Sequence, residues 1–157
     1  MKLTEYFSKK AIVSQLKASD KKGAIKELVQ VVKDVYNPSK FQVNDIADDV
    51  IKREKLGSTG LGKGVAVPHA KIVELKKVIG AFGRSTDGID FDAVDGEPVH
   101  LIFLILSPTG GTDLHLEALR KIMQAIKRPN FCKFLNSAKG IKDIEDIFVE
   151  YEEEVKV

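Results

Sequence analysis

The stretch GSTGLGKGVAVPHAK, residues 57–71, decides how the chain is read. Its opening has the G-x-x-x-x-G-K spacing of a nucleotide-binding P-loop. Such a loop needs a Ser or Thr after its lysine to ligate magnesium. Here Lys63 is followed by Gly64. A P-loop also follows a strand and opens a helix whose N-terminus holds phosphate. This one follows a helical pattern and runs into VAVP, two β-branched residues and a proline. A dinucleotide-binding G-x-G-x-x-G reading fails as well, because position 65 is Val. The glycines therefore answer to backbone geometry: Gly57, Gly60, Gly62 and Gly64 permit positive φ and close approach of a side chain or a partner.

His69 closes the stretch. Pro68 fixes its own φ and pushes Val67 into an extended conformation, so the imidazole projects from a stiff backbone. A neutral imidazole offers one lone pair and one N–H. If a backbone carbonyl holds the N–H, the other nitrogen is oriented as a nucleophile. The residues alone leave two readings open, a nucleophile or a satisfied surface histidine. The other histidines, His100 and His115, are not spaced with His69 or Cys132 as zinc ligands, so no metal is expected.

Working outward from the loop, the N-terminal side reads as helical. AIVSQLKA (11–18) has a strand-like first half, and Asp20 is placed to cap a helix carrying Ile25, Leu28, Val29, Val32, Val35 and Tyr36. Pro38 ends it. Val43, Ile46, Ala47, Val50 and Ile51 mark a second helix, with Asn44 as its cap and Gly57 as its stop. On the C-terminal side, VAV (65–67) and KVIGAFGR (77–84) read as strands and TDGIDFDAVDGEP (86–98) as a loop. VHLIFLILS (99–107) reads as a central strand, apolar on both faces. His100 then sits at the start of that strand as a surface residue. Thr112 is placed to cap a third helix with the stripe Leu116, Leu119, Met123 and Ile126, ended by Pro129. Two helical pieces follow, near 130–137 and 141–154, with YEEEVKV as a frayed terminus. This order predicts an α/β fold: one domain over 1–157 with a mixed β-sheet flanked by helices.

Composition narrows the function. A net charge of +2 with interleaved signs gives no reason to expect nucleic-acid binding. The longest apolar run, LIFLIL (101–106), falls far short of the roughly 20 residues of a membrane span, so no membrane insertion is expected. The single cysteine, Cys132, forms no internal disulfide, reads as an apolar filler, and fits a cytoplasmic location.

The quoted stretch closely resembles the active-site signature of the enzyme IIA proteins of the bacterial phosphotransferase system, fructose/mannitol class, and most of all their nitrogen-regulatory branch. That pattern is approximately G-S-T-G-I-G-x-G-V-A-I-P-H, and this chain departs from it only at Leu61 and Val67. REKLGSTG (53–60), IDFDAVDGEPVHLIFLILSP (89–108) and HLEALRKI (115–122) resemble family segments in family order. The resemblance implies a phosphocarrier in which His69 accepts a phosphoryl group from the phosphohistidine of HPr or of a nitrogen-branch HPr-like carrier. It implies that His115 is a second active-site histidine and Arg53 an arginine beside the site. Thr59 and the amides of Gly60, Gly62 and Gly64 are expected to contribute hydrogen bonds to the phosphoryl group, and no cofactor is expected. Leu61 and Val65 are expected to centre a partner-docking face rimmed by Lys63 and Lys71. Downstream, the phosphorylated protein either regulates other proteins or passes phosphate to a sugar-specific IIB. With no IIB sequence in these residues, regulation is the leading expectation. A non-catalytic interaction module on the same fold is the alternative from a different class.

Overall fold

In the computed structural model, which describes residues 1–155, a mixed sheet carries helices on both faces. The expectations for Lys156 and Val157, the end of YEEEVKV, lie outside the described residues. A short helix α1 (Leu3–Tyr6) and a 3-10 turn lead into β1 (Ile12–Val13). Helices α2 (Lys21–Tyr36) and α3 (Val43–Leu56) follow. Then come β2 (Gly60–Gly62), β3 (Val65–Ala66), β4 (His69–Ile72), β5 (Ile79–Ile89) and β6 (Val99–Pro108). Helices α4 (Thr112–Lys127), α5 (Phe131–Ser137) and α6 (Ile141–Glu154) complete the chain.

The sheet runs β1-β5-β6-β3-β2, with β4 also on β6. β5 and β6 are antiparallel, while β3 and β4 lie one after the other along the same edge of β6, both parallel to it. Between them Pro68 has no N–H to give, but its carbonyl still accepts the Ile105 N–H at 3.0 Å. The apolar run in β6 serves both faces, as its composition predicts. Ile102, Leu104 and Leu106 enter the core under α2 and α3. Leu101, Phe103 and Ile105 enter the core under α1, α4, α5 and α6, where Phe103 packs against Phe7, Phe82 and Phe148.

Several boundaries differ from the sequence expectation. Asp20 does cap α2, accepting the Gly23 N–H at 2.8 Å. Asn44 does not cap α3; it lies in the first turn behind Gln42. Thr112 is the first helical residue of α4, with Gly111 at the cap. The β1 pairing is limited to Ile12 and Val13, against Phe82 and Gly83 of β5. The expected loop 86–98 begins late, because β5 continues to Ile89 through a register slip after Arg84. Ile89 and Phe91 are then buried as core anchors.

The largest correction concerns α4. Its buried face is His115, Ala118, Ile122 and Ala125, not the predicted leucine stripe. The small Ala118 and Ala125 let the helix approach the sheet closely. Leu116 is left 51% exposed. That rotation turns His115 inward.

Candidate active site

His69 opens β4 opposite Ile105 of β6. Its Nδ1 lies 2.8 Å from the Val67 carbonyl oxygen. A carbonyl only accepts, so Nδ1 carries the proton and Nε2 the lone pair. Burial lowers the His69 pKa, the Val67 bond opposes that, and Arg53 lowers it further. The neutral ring is thereby favoured at neutral pH.

Two residues beyond Ile105, the buried Ser107 places its Oγ 2.6 Å from His115 Nδ1. The two histidine rings stand 5.1 Å apart, centroid to centroid. Burial, then the neighbouring His69 and Lys71, push the His115 pKa down to about 4. Arg53 comes from the last turn of α3, where its Nη1 donates to the Gly57 carbonyl at 2.8 Å. Lys71, exposed on β4, donates to Thr112 Oγ1 at 3.3 Å. Arg53, His69, Lys71 and His115 line one open cleft of about 820 Å³ with Asp49 and Lys52. Leu56, Val73, Leu116 and Leu119 supply its apolar rim; Leu56 is 85% and Val73 76% exposed. An unprotonated ring nitrogen among cations suits attack on an anionic electrophile.

The family described as "Phosphoenolpyruvate-dependent sugar phosphotransferase system, EIIA 2" matches residues 5–151. The chain belongs to this EIIA family. It is 35% identical to the "Nitrogen regulatory protein" of Bradyrhizobium diazoefficiens over 147 residues, 94% of each chain. It is also 35% identical over 152 residues to the "PTS system fructose-specific EIIABC component" of Bacillus subtilis, covering 97% of this chain and 24% of that much longer protein. In three dimensions it matches the nitrogen regulatory protein IIA-Ntr of Neisseria meningitidis with a TM-score of 0.84 and 33% identity, over 93% of this chain and 98% of the other.

Within this EIIA chain the fold brings together His69, His115, Arg53 and Lys71. Gly57 accepts from Arg53, but the hairpin tip of the glycine stretch is carried away from them. β2 and β3 form a hairpin, with Gly60 opposite Ala66 and Gly62 opposite Val65. Its tip points toward the start of β6, where the Gly64 carbonyl accepts the His100 and Leu101 N–H groups. Val65 pairs with Leu101 and His69 with Ile105. Four residues of strand put roughly 13 Å between those two positions. Gly62 and Gly64, both at positive φ, make a tight turn and not a phosphate cradle. Lys63, at that tip, donates its N–H to Asp95.

Two further expectations are corrected by burial. Val65 is fully buried in the core and cannot centre a docking face. Leu61 is exposed, but it belongs to the hairpin and does not line the cleft. The exposed apolar residues that line the cleft are Leu56, Val73 and Leu116 instead. Thr59 is buried, with its N–H and hydroxyl both committed to the Glu54 carboxylate. Gly60 packs against Ala93. His100 is half-buried at the far end of β6, donating Nδ1–H to the Ser85 carbonyl at 2.8 Å. Cys132 is half-buried against the second core, and burial raises its thiol pKa.

The sequence reading missed Glu54, Ser107 and the apolar rim. A serine ending a hydrophobic strand carries no periodic signal. An exposed leucine just before Gly57 is invisible until the helix direction is known.

Proposed function

We propose that this chain is a phosphocarrier whose His69 Nε2 accepts a phosphoryl group from the phosphohistidine of HPr or a nitrogen-branch HPr-like protein in the cytoplasm. The observation that carries this reading is the Nδ1–H bond to Val67, which leaves Nε2 as the free nucleophile at the cleft. In the transfer, the carrier's N–P bond breaks and the His69 Nε2–P bond forms. The leaving imidazole takes back its lone pair, and His69 keeps its Nδ1 proton. The Arg53 guanidinium offsets charge on the equatorial oxygens. If the Ser107 hydroxyl donates to His115 Nδ1, the neutral His115 presents Nε2–H to the same oxygens. The exposed Leu56, Val73 and Leu116, with the cations beside them, form the docking face for the donor.

A regulatory role, in which phosphorylation changes which proteins the chain binds, is favoured by the similarity to nitrogen regulatory proteins over nearly their whole length. The equal identity to the fructose-specific EIIABC protein supports a second reading, delivery of phosphate to a IIB partner.

The test is intact-protein mass spectrometry after incubation with phosphoenolpyruvate, enzyme I and carrier, without ATP. One acid-labile phosphoryl adduct is expected, absent in His69→Ala. No adduct with either carrier, while a control IIA is labelled, would leave a non-catalytic interaction module. Adding a fructose-type IIB then separates the two downstream roles: phosphate leaves the chain only if it serves transport.

A further inference from the structure

Glu54 is a glutamate with only 5% of its surface exposed, adjacent to Arg53 but not among the residues that line the cleft. Its charge raises the His69 pKa against the effect of burial, and phosphoryl transfer as described gives it no other role. A buried carboxylate is costly unless it is paired and its lone pairs are filled. Here both conditions are met. Lys21, the first helical residue of α2, brings Nζ to 2.9 Å from Glu54 Oε2. The Thr59 N–H lies 3.2 Å from each carboxylate oxygen, and the Thr59 hydroxyl donates to Oε1.

The bonds continue from Thr59 to the reactive ring. The Thr59 carbonyl accepts the Val67 N–H at 3.1 Å, and the Val67 carbonyl accepts His69 Nδ1–H at 2.8 Å. Pro68 stiffens the single residue between Val67 and His69. Hydrogen bonds, linked through the backbones of Thr59 and Val67, thus connect the start of α2, the end of α3, the loop and the imidazole.

We propose that Glu54, held by Lys21, is a positioning residue that keeps His69 in its Nδ1–H tautomer by fixing Thr59 and, through it, the Val67 carbonyl. An imidazole exchanges its single proton between two nitrogens, and only the Nδ1–H form leaves Nε2 nucleophilic. The direction of the Val67 carbonyl selects that form. The Val67 N–H, in the peptide unit just before that carbonyl, is bonded to the Thr59 carbonyl, so holding Thr59 limits how far Val67 can turn; Thr59 in turn has its own N–H and hydroxyl on Glu54. The kinetic consequence rests on the phosphocarrier reading; the tautomer does not.

The experiment is long-range 1H–15N NMR of the histidine rings at neutral pH in the full chain, for the wild type, Glu54→Gln, Thr59→Val and Thr59→Ser, beside phosphorylation time courses. The glutamine offers one acceptor oxygen in place of two and turns an amide donor toward Lys21. The wild-type His69 signal is expected to be Nδ1–H. In Glu54→Gln it should move toward a mixture of tautomers while the His115 signals stay in place. Phosphorylation should slow on the order of 10- to 100-fold without a change in the carrier concentration giving half-maximal rate. Thr59→Val, which keeps the Lys21–Glu54 pair, should shift the tautomer less, and Thr59→Ser should restore it; this pair carries the test if Glu54→Gln does not fold. A folded Glu54→Gln or Thr59→Val protein with His69 still wholly Nδ1–H overturns the proposal. A wild type that no carrier labels counts against the phosphocarrier reading alone, since the ring signals still report the tautomer.

Discussion

The imidazoles of His69 and His115 lie 5.1 Å apart with their planes tilted by 59°. One strand sets both. β6 pairs Ile105 with His69 and, two residues on, supplies the Ser107 hydroxyl that meets His115. Because β6 is buried on both faces, neither ring can drift without disturbing a core. The pair is preorganised, so little reorganisation is needed when a charged group arrives.

Removing the second imidazole tests that arrangement. His115→Ala should leave His69 able to accept phosphate but slow the transfer on the order of 10²-fold, the usual effect of deleting one hydrogen-bond donor to a developing charge. The check is the initial rate of adduct formation by mass spectrometry. A rate within twofold of wild type would reduce His115 to a packing residue.

Acid should act on rate through His69 and on stability through both buried histidines, His115 most of all. In the proposed transfer His69 attacks as the neutral ring, and burial lowers its pKa from 6.5, so the midpoint of the acid limb of the phosphorylation profile should lie below pH 6.5. For stability, the folded His115 binds a proton near pH 4 and the unfolded one near 6.5. Between those values the unfolded chain holds more protons, so stability falls with falling pH across that window and not above it. Urea midpoints between pH 7 and 4.5 should drop less steeply in His115→Gln than in the wild type; parallel curves would contradict the shift.

Charge reversal separates the cleft from the hairpin. Lys71→Glu should slow phosphorylation by the carrier severalfold, with a weaker dependence on salt, because Lys71 lies on the cleft. Lys63→Glu should leave the rate unchanged, because Lys63 is at the hairpin tip beside Asp95. Equal losses for both would place the carrier across the whole edge of the sheet.

The glycines divide by what surrounds them. A Cβ on Gly60 would meet Ala93 Cβ at 2.8 Å and Cα at 2.9 Å, whereas a Cβ on Gly110 would meet nothing within 4 Å. Gly60→Ala should cost about 1–3 kcal/mol of unfolding free energy. Gly110→Ala should fall within about 0.5 kcal/mol of wild type. Denaturant titration of the two variants reads the difference directly.

Local pattern was enough to read several elements before any contact was known. The unbroken apolar run of 101–106 required a strand covered on two faces. The Asp20 cap and the Gly57 stop bounded helices, and the glycine stretch ending in Pro68 and His69 marked both the family and the histidine proposed as the acceptor. Tertiary structure decided which side chains meet. Whether α4 turns Leu116 or His115 to the sheet depends on how closely Ala118 and Ala125 let it approach, and hydrophobic periodicity cannot rank two stripes one residue apart. Where the glycine hairpin points depends on its register against β6, which carries Gly64 away from His69. Glu54 escaped notice because a carboxylate is placed inside only when its partners come from elsewhere: Lys21 lies thirty-three residues before it, and the two meet only once α2 and α3 have packed.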